Sequence, residues 1–233
     1  MFRELPGELV SEIYFSESFA TQSEMYDEGA SKIKFPQGIL QTTLSDGIFE
    51  YVSDTKTPQG VLCVVKRPVY DLEALILGKS VRLLLLEDLQ DPGNLGTILR
   101  TAEAAGVTAV IASNETADIF NPKTVRATQG SLFRVPYFIV SDFLVRLNAL
   151  RAMGVRIYAA EVQAGVSIYE ADFAGALALL IGNEGKGLSK EALELSHERL
   201  NIPMDGQVES LNAAVAAGVI LFEIKRKCNS LKD

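Results

Sequence analysis

Short apolar stretches alternate with amphipathic stretches through the C-terminal two thirds of the chain. Each apolar stretch is bounded by turn residues and has the length of a β-strand. The predicted strands are RLLLLED (82–88), TAVIAS (108–113), VPYFIV (135–140), RIYAAEV (156–162), ALALLIGN (176–183) and RLNIPM (199–204). Strands that are apolar throughout and alternate with helices favour an α/β fold with a mostly parallel sheet covered on both faces.

The intervening stretches have helical periodicity. After the first strand, one apolar stripe is predicted to end at Gly106, and it consists of Leu95, Ile98, Leu99, Ala102 and Ala105. The segment 141–153 has a similar period, and Ser141 is predicted to cap its helix. A third stripe, in the segment 201–227, comprises Leu211, Ala214, Val215, Gly218, Val219 and Phe222. The first turns of this last helix consist almost wholly of small residues, so another backbone could approach it closely.

The first 70 residues have a different pattern. Strands are predicted at EIYFS (12–16) and VLCVVK (61–66), and helices at TQSEMYDEGA (21–30) and LSDGIFEYVS (44–53). This predicts a small α/β domain of about three strands over residues 1–70, a linker at 71–80 and a second domain at 81–233. A domain this small, which begins almost directly with a strand, would be marginal alone. We therefore expect it to be truncated, without an N-terminal strand and helix.

Composition narrows the function classes. The net charge of −8 argues against a generic nucleic-acid binder, so any RNA-binding function must depend on a local basic patch. Cys63 and Cys228 lie far apart and show no metal-ligand spacing, so neither a metal site nor a disulfide framework is predicted. No apolar run approaches the ~18 residues of a membrane span, and the N-terminus lacks the signal-peptide pattern. We expect a cytoplasmic protein without a membrane segment.

The stretch DPGNLGTILRTAEAA (91–105) follows a strand and opens a helix, as phosphate-binding loops do. It lacks the lysine of a GxxxxGK[ST] loop, and it lacks the GxGxxG spacing and the later acidic residue of a dinucleotide site. Two interpretations stay open at this point. Asn94 could cap the helix with Arg100 as a plain surface residue, or both could belong to a functional site.

Two later segments carry further candidates. LLIGNEGKGLS (179–189) places three glycines within six residues, which permits close approach of a ligand, and adds Glu184, which a plain turn does not need. The alternative is a glycine-rich connection in which Ser189 caps the next helix. In NIPMDGQVESLNAAVAAGVILFEIKRK (201–227), Ser210 and Asn212 stand at the helix start, where free N–H groups gather. The alternative there is that Ser210 is only a cap.

Taken in order, NLGTILR, IGNEGKGLS and IPMDGQVESLNAAVAAG closely resemble the three motifs of the SpoU (TrmH) family of RNA ribose 2′-O-methyltransferases, in the SPOUT superfamily. The resemblance covers about residues 80 to 228. It implies a parallel-sheet domain with a deep C-terminal trefoil knot, a feature that ordinary connectivity rules would not predict. The first 70 residues, with KTPQGVLCVVK before the linker, resemble a truncated form of the ribosomal-protein-like RNA-binding domain of such enzymes.

The resemblance also implies an activity, a cofactor and a site. The activity is methyl transfer from S-adenosylmethionine to a ribose 2′-hydroxyl of RNA, and the N-terminal domain favours ribosomal RNA over transfer RNA. No metal is expected. The cofactor-binding positions are Ala160, Gly182, Asn183, Ile202, Met204 and Leu211. The polar active-site positions are Asn94, Arg100, Glu184, Ser210 and Asn212.

Roles follow for some of these residues. Family proposals make Arg100 the general base, but an arginine pKa above ~12 makes a neutral guanidine rare. We instead expect Arg100 to bind the phosphate beside the target ribose, and Glu184 to orient Arg100 or Asn94. His197 is predicted on a surface helix and is a poor candidate base. The resemblance further implies a homodimer in which Arg100 reaches the partner's cofactor, with the C-terminal helix as a plausible dimer surface.

Three rival functions stay open to test. A transfer RNA ribose methyltransferase would have the same motifs. A non-catalytic RNA-binding or assembly protein could keep the fold, although the polar positions all retain the family residues. A nicotinamide dehydrogenase is disfavoured because the dinucleotide fingerprint is absent.

Overall fold

A computed structural model describes residues 5–25, 38–53, 55–77, 81–162 and 165–230. The chain divides into two compact units, Met1–Val69 and Tyr70–Asp233. The segment 71–80, predicted to be a linker, contains the helix α3 (Leu72–Ile76) and falls in the second unit. No helix in the described ranges is long and apolar enough to cross a membrane.

In its described residues, the first unit has one three-stranded sheet and two α-helices. Its elements are β1 (Val10–Ser16), α1 (Glu17–Met25), β2 (Leu40–Leu44), α2 (Asp46–Val52) and β3 (Val61–Val65). The sheet order is β2-β1-β3, with β1 parallel to β2 and antiparallel to β3. The helix predicted at 21–30 begins earlier, at Glu17, and residues 26–30 lie outside the described residues. The third strand, LQTTL, escaped prediction because its side chains are mostly polar or exposed.

The second unit is built on a seven-stranded parallel sheet, which confirms the predicted α/β class. Its order is β6-β5-β4-β9-β7-β10-β8. The strands are β4 (Arg82–Leu86), β5 (Ala109–Ser113), β6 (Tyr137–Val140), β7 (Arg156–Ala160), β8 (Val166–Ser167), β9 (Leu177–Ile181) and β10 (Glu198–Asn201). Six of these were predicted, and β8 is too short for a periodic signal.

Helices cover both faces of this sheet. They are α3, α4 (Pro92–Ala105), α5 (Pro122–Thr128), α6 (Phe143–Ala152), α7 (Lys190–Leu195) and α8 (Ala213–Ser230). Leu84 and Leu86 of β4 pack in a core with α4 and α8, whereas Leu83 and Leu85 pack on the opposite face with α3, α6 and α7. This explains the uninterrupted apolar run of β4, because each face of a doubly covered strand needs its own apolar side chains.

Some predicted helix caps differ in the structure. The Asp91 side chain caps α4 and accepts the Asn94 N–H at 2.8 Å, so Asn94 is not the cap. The predicted Ser141 cap is wrong, since α6 has Asp142 at its N-cap and no side-chain cap bond. At α8 the Asn212 Oδ1 accepts the Ala214 N–H at 2.9 Å, which leaves no capping role to Ser210. Ser189 caps α7 as the sequence predicts.

The buried stripe of α8 is not the predicted one. The helix packs on the sheet through Ala214, Ala217, Ile220, Leu221 and Ile224. Of the predicted stripe only Ala214 is buried, whereas Val215, Val219 and Phe222 are 51%, 36% and 49% exposed. The reason is that α8 has two apolar faces, and the larger Ile and Leu side chains occupy the core. We call the exposed set of Val215, Val219 and Phe222 the outer face of α8.

The knot implied by the resemblance stays a prediction. In the C-terminal part of the chain, where the knot is expected, the chain passes from β9 through α7 to β10. Since β10 lies beyond β7 in the sheet, this connection crosses over β7. The backbone at Gly165, just before β8, lies directly against that of Arg199 in β10. Close contact between the segments is therefore established in this region, while their threading is not.

We expect Gly96→Ala to destabilise the second unit. A Cβ at Gly96 in α4 would collide with Ala127 and would lie 2.8 Å from the Thr124 carbonyl oxygen in α5. Overpacking of this kind costs about 1–3 kcal/mol, which would appear as a lower midpoint in thermal unfolding. Gly47→Ala is the control, because no atom lies within 4 Å of its added carbon. Equal midpoints for the two variants would contradict the close α4–α5 packing.

Candidate active site

The candidate site lies at the carboxyl edge of the seven-stranded sheet. Because β4, β9, β7 and β10 are parallel and adjacent, the segments that follow them meet at that edge. Those after β4, β9 and β10 span 87–94, 182–189 and 202–212, and each overlaps one of the three segments singled out in the sequence. The fold thus brings together residues that are more than a hundred positions apart.

A cavity of about 490 Å³ opens among these segments, a volume typical of small-molecule sites. The six residues predicted to bind the cofactor all line it: Ala160, Gly182, Asn183, Ile202, Met204 and Leu211. Much of the remaining wall is apolar and includes Leu188, Leu200 and Ile220. Their part in holding a cofactor stays a prediction.

The glycine-rich loop 182–189 closes on itself at the cavity wall. Asn183 and Gly187 exchange backbone hydrogen bonds of 3.0 and 2.9 Å, and the Asn183 Oδ1 accepts the N–H groups of Gly185 and Lys186. A Cβ at Gly182 would lie 2.5 Å from the Gly187 backbone, and Gly187 has a φ of +70°. Two of the three glycines are therefore required by the shape of the loop.

A chain of hydrogen bonds joins three of the predicted polar residues. Glu184 Oε1 accepts the Asn94 side-chain amide at 3.0 Å, and Asn94 Oδ1 accepts the Asn212 side-chain amide at 3.0 Å. Glu184 also accepts two backbone N–H groups, from Gln90 at 2.9 Å and from Asp91 at 3.0 Å. The structure thus brings Asn94, Glu184 and Asn212 together, and Asn94 is the partner of Glu184.

These donors fix the charge of Glu184. Desolvation by burial raises its pKa, but the N–H groups of Gln90, Asn94 and Asp91 outweigh that effect, so the pKa lies below its ordinary value. The neighbouring Asp91 also has a lowered pKa, because it accepts the Asn94 N–H and pairs with Lys123 at 3.0 Å. Both carboxylates are ionised at neutral pH, so this edge of the sheet carries negative charge.

Ser210 and Arg100 are placed differently. Ser210 lines the cavity and is exposed. Arg100 is exposed on α4 and makes no hydrogen bond or ion pair with any described residue. Helices α4 and α8 pack together, with Lys225 of α8 donating to the Ala104 carbonyl oxygen at 2.7 Å. Helical spacing places the exposed Arg100 on the face of α4 between Gly96, which packs on α5, and Glu103, which pairs with Arg134, whereas α8 contacts the face of Thr101.

His197 lies away from the cavity lining, and its predicted position on a helix is wrong. Helix α7 ends at Leu195, and His197 instead pairs with the edge of β7. The backbone N–H of His197 donates to the Ile157 carbonyl oxygen at 2.7 Å, and its ring Nδ1 accepts the Ile157 backbone N–H at 3.0 Å. Desolvation and the charges of Arg151 and Arg156 lower the pKa of His197. The imidazole therefore serves as a neutral acceptor in the fold.

The SpoU rRNA Methylase family model matches residues 82–222, and this range includes every residue that lines the cavity. The chain belongs to the SpoU rRNA methylase family. One relative is the Bacillus subtilis 23S rRNA (guanosine(2553)-2′-O)-methyltransferase RlmP, which is 37% identical over 93% of this chain and 85% of its own length. The Ralstonia nicotianae 23S rRNA (guanosine-2′-O-)-methyltransferase RlmB is 40% identical over 88% of this chain and 87% of its own length.

Solved SpoU structures share this architecture. The SpoU methyltransferase AviRb from Streptomyces viridochromogenes, in complex with the cofactor AdoMet, has a TM-score of 0.77 and 29% identity. The match covers 95% of this chain and 83% of AviRb. The similarity therefore extends beyond the SpoU domain into the first unit.

Three charged residues that line the cavity were not predicted as site residues. Glu161, Lys186 and Glu209 line the cavity, and Glu161 lies 3.3 Å from Arg199 of β10. Gln90 and Asp91 contribute through their backbone N–H groups, a role that no side-chain motif reveals. Lys186 and Glu209 lie within segments that the sequence singles out, and Glu161 lies in the predicted strand 156–162.

We expect Glu184→Gln to lower the unfolding midpoint at neutral pH, because an amide cannot accept all three donors through its single oxygen. The folded-state pKa of Glu184 lies below its ordinary 4.5, so its contribution is present above that value. It is lost as pH falls through the lowered pKa. The midpoint difference from the wild type should therefore shrink in acid.

Thermal unfolding of both proteins across a pH series measures this difference. Glu209→Gln is the control, because Glu209 lines the same cavity and accepts no hydrogen bond from the described residues. A Glu184→Gln difference that stays constant down to the most acidic pH would show that ionisation of Glu184 has no part in the network.

Proposed function

We propose that this chain transfers the methyl group of S-adenosylmethionine to a ribose 2′-hydroxyl of 23S ribosomal RNA. The observation that carries the proposal is the cavity bordered by the Asn94–Glu184–Asn212 chain, in a member of the SpoU family. The named relatives that span nearly the whole chain are 23S rRNA 2′-O-methyltransferases. A solved relative holds AdoMet on the same fold.

The cavity suits this cofactor. Apolar side chains such as Ile202, Met204 and Leu211 can pack against an adenine, and the glycine-rich loop exposes backbone groups to it. A side chain at Gly182 would collide with that loop and distort the wall. When bound, the cofactor supplies a methyl group activated by a positively charged sulfur. The ionised Glu184 would add a favourable negative charge at the rim.

The polar residues then position the RNA. Glu184 and Asn212 hold the Asn94 side chain from both ends, so Asn94 presents its remaining hydrogen-bonding capacity in a fixed direction. We assign Asn94 and Ser210 to orienting the target ribose. Arg100 would bind the adjacent phosphate through two parallel hydrogen bonds. The new bond joins the 2′-oxygen to the methyl carbon as the carbon–sulfur bond breaks, and the hydroxyl proton passes late to that phosphate or to water.

Arg100 requires a second subunit in this proposal. It is exposed on α4 and bonds no described residue, and Val215, Val219 and Phe222 leave the outer face of α8 exposed as well. Burying this apolar face against a second copy would be favourable, at about 25 cal/mol per Å² of apolar surface. The resulting homodimer would carry the partner subunit's Arg100 to the cavity of this chain. The first unit would bind the RNA substrate, which offsets the weak general affinity expected of a chain with net charge −8.

The activity has a direct test. Purified protein with methyl-labelled S-adenosylmethionine is expected to label 23S rRNA that lacks the modification, at a ribose whose 3′-phosphodiester becomes resistant to alkali. Asn94→Ala should reduce the rate by about a hundredfold, since loss of positioning has effects of that size. Asn148→Ala, an exposed asparagine of α6, should not change the rate.

Two outcomes would contradict the proposal. Labelling of transfer RNA alone would identify the rival substrate. Binding of 23S rRNA without any methyl transfer, by protein that also fails to bind S-adenosylmethionine, would identify a non-catalytic binding or assembly protein.

The shared site predicts complementation between two inactive subunits. One carries Arg100→Ala with an intact cavity, and the other carries Ile202→Trp, which fills the cavity and leaves Arg100 intact. A heterodimer purified through two different tags has one site with both parts, so we expect about half of the wild-type activity. Each homodimer alone should be inactive.

The complementation result separates two arrangements of the site. An inactive heterodimer would show that Arg100 serves the cavity of its own chain. A fully active monomer by sedimentation would exclude the shared site altogether.

A further inference from the structure

Glu87 is a buried carboxylate outside the proposed active site. It directly follows β4 and is 8% exposed, and the only other buried acidic residue of the described chain is Glu223 at 9%. Glu223 is paired with Arg226 at 2.7 Å, whereas no described cation pairs with Glu87. Burial of an unpaired carboxylate is costly unless hydrogen-bond donors satisfy it. The location of those donors therefore indicates what Glu87 does.

Both carboxylate oxygens of Glu87 are directed at Ser189. Oε2 accepts the Ser189 N–H at 2.8 Å, and Oε1 accepts the Ser189 hydroxyl at 2.6 Å. The backbone of Glu87 is itself fixed, because its N–H donates to the Ile181 carbonyl oxygen at 2.9 Å. The Ser189 Oγ in turn accepts the Ala192 N–H at 3.1 Å. Glu87 thus joins the end of β4 to the start of α7.

Ser189 is the last residue of the glycine-rich loop, so this contact bears on the cavity. Leu188 precedes it and Leu193 lies one turn later, and both line the cavity, which Glu87 itself does not. The start of the loop is held separately, by the Asn183 side-chain amide donating to the Asp88 carbonyl oxygen at 2.8 Å. Adjacent residues after β4 therefore hold the loop at its two ends.

We propose that Glu87 is a positioning residue that holds the loop 182–189 in its cofactor-binding shape before the cofactor arrives. The inference rests on the proposed function, because it concerns the same cavity. A loop built on glycines has many accessible conformations, and fixing its ends removes an ordering cost that binding would otherwise carry.

Isothermal calorimetry with S-adenosylmethionine and the full chain tests this role. We expect Glu87→Ala to raise the Kd about tenfold or more, as loss of hydrogen bonds to a charged group commonly does, with the wild-type stoichiometry retained. Ser189→Ala should also raise the Kd. The double variant should bind little more weakly than Glu87→Ala alone, because both changes remove one contact.

Two further variants separate positioning from general stability. Glu223→Ala removes the matched buried carboxylate, which does not line the cavity, and should lower the unfolding midpoint without changing the Kd. Glu87→Gln should restore binding close to the wild type, since its amide can accept the Ser189 N–H and donate to the hydroxyl.

An unchanged Kd in Glu87→Ala at full stoichiometry would overturn the proposal. So would a fall in stoichiometry with the Kd of the remaining sites unchanged, because that result marks partial unfolding. Failure of the wild-type protein to bind S-adenosylmethionine is a different result, and it would overturn the proposed function itself.

Discussion

The site depends on satisfying a carboxylate at the junction of two adjacent strands. β4 and β9 are paired in the sheet, so the segments that follow them leave the same edge side by side. Glu184, on the second segment, accepts hydrogen bonds across the junction from Gln90, Asp91 and Asn94 of the first. Because Glu184 is exposed, these bonds fix the position of its carboxylate rather than replace lost solvation. The two segments therefore constrain each other, and the cavity wall and the Asn94 side chain follow from that constraint.

This constraint also shapes the electrostatics of RNA recognition. Asp91 and Glu184 are both ionised, and in the proposed function an RNA backbone would approach the cavity that Glu184 lines. These carboxylates repel the phosphates of RNA unless cations compensate for their charge. Lys123 already pairs with Asp91, and Arg100 makes no bond with the residues of the hydrogen-bonded chain. A second subunit that supplies its own arginine would correct the charge balance in a way that one chain does not.

The sequence predicted the parts of the fold that carry their own signal. Strands buried on both faces are apolar throughout, and six of the seven strands of the large sheet were located from that pattern. The loop 182–189 was identified because its glycines are required locally. The cap at Ser141 was mispredicted because the neighbouring Asp142 occupies the N-cap position, and the alternative of a Ser210 cap fails because the Asn212 side chain accepts the first N–H groups of α8. His197 was mispredicted because its partner, Ile157, is forty positions away and only the sheet brings them together.

At α8, periodicity identified an apolar stripe but not the surface that it contacts. A helix that is apolar on two faces has one face for the core and one that the single chain leaves exposed. Val215, Val219 and Phe222 form that second face, and its exposure to water is unfavourable. Arg100 of α4 has no partner among the described residues. In the proposed homodimer, a second copy of the chain would bury the exposed face, and Arg100 would bind a phosphate of the RNA.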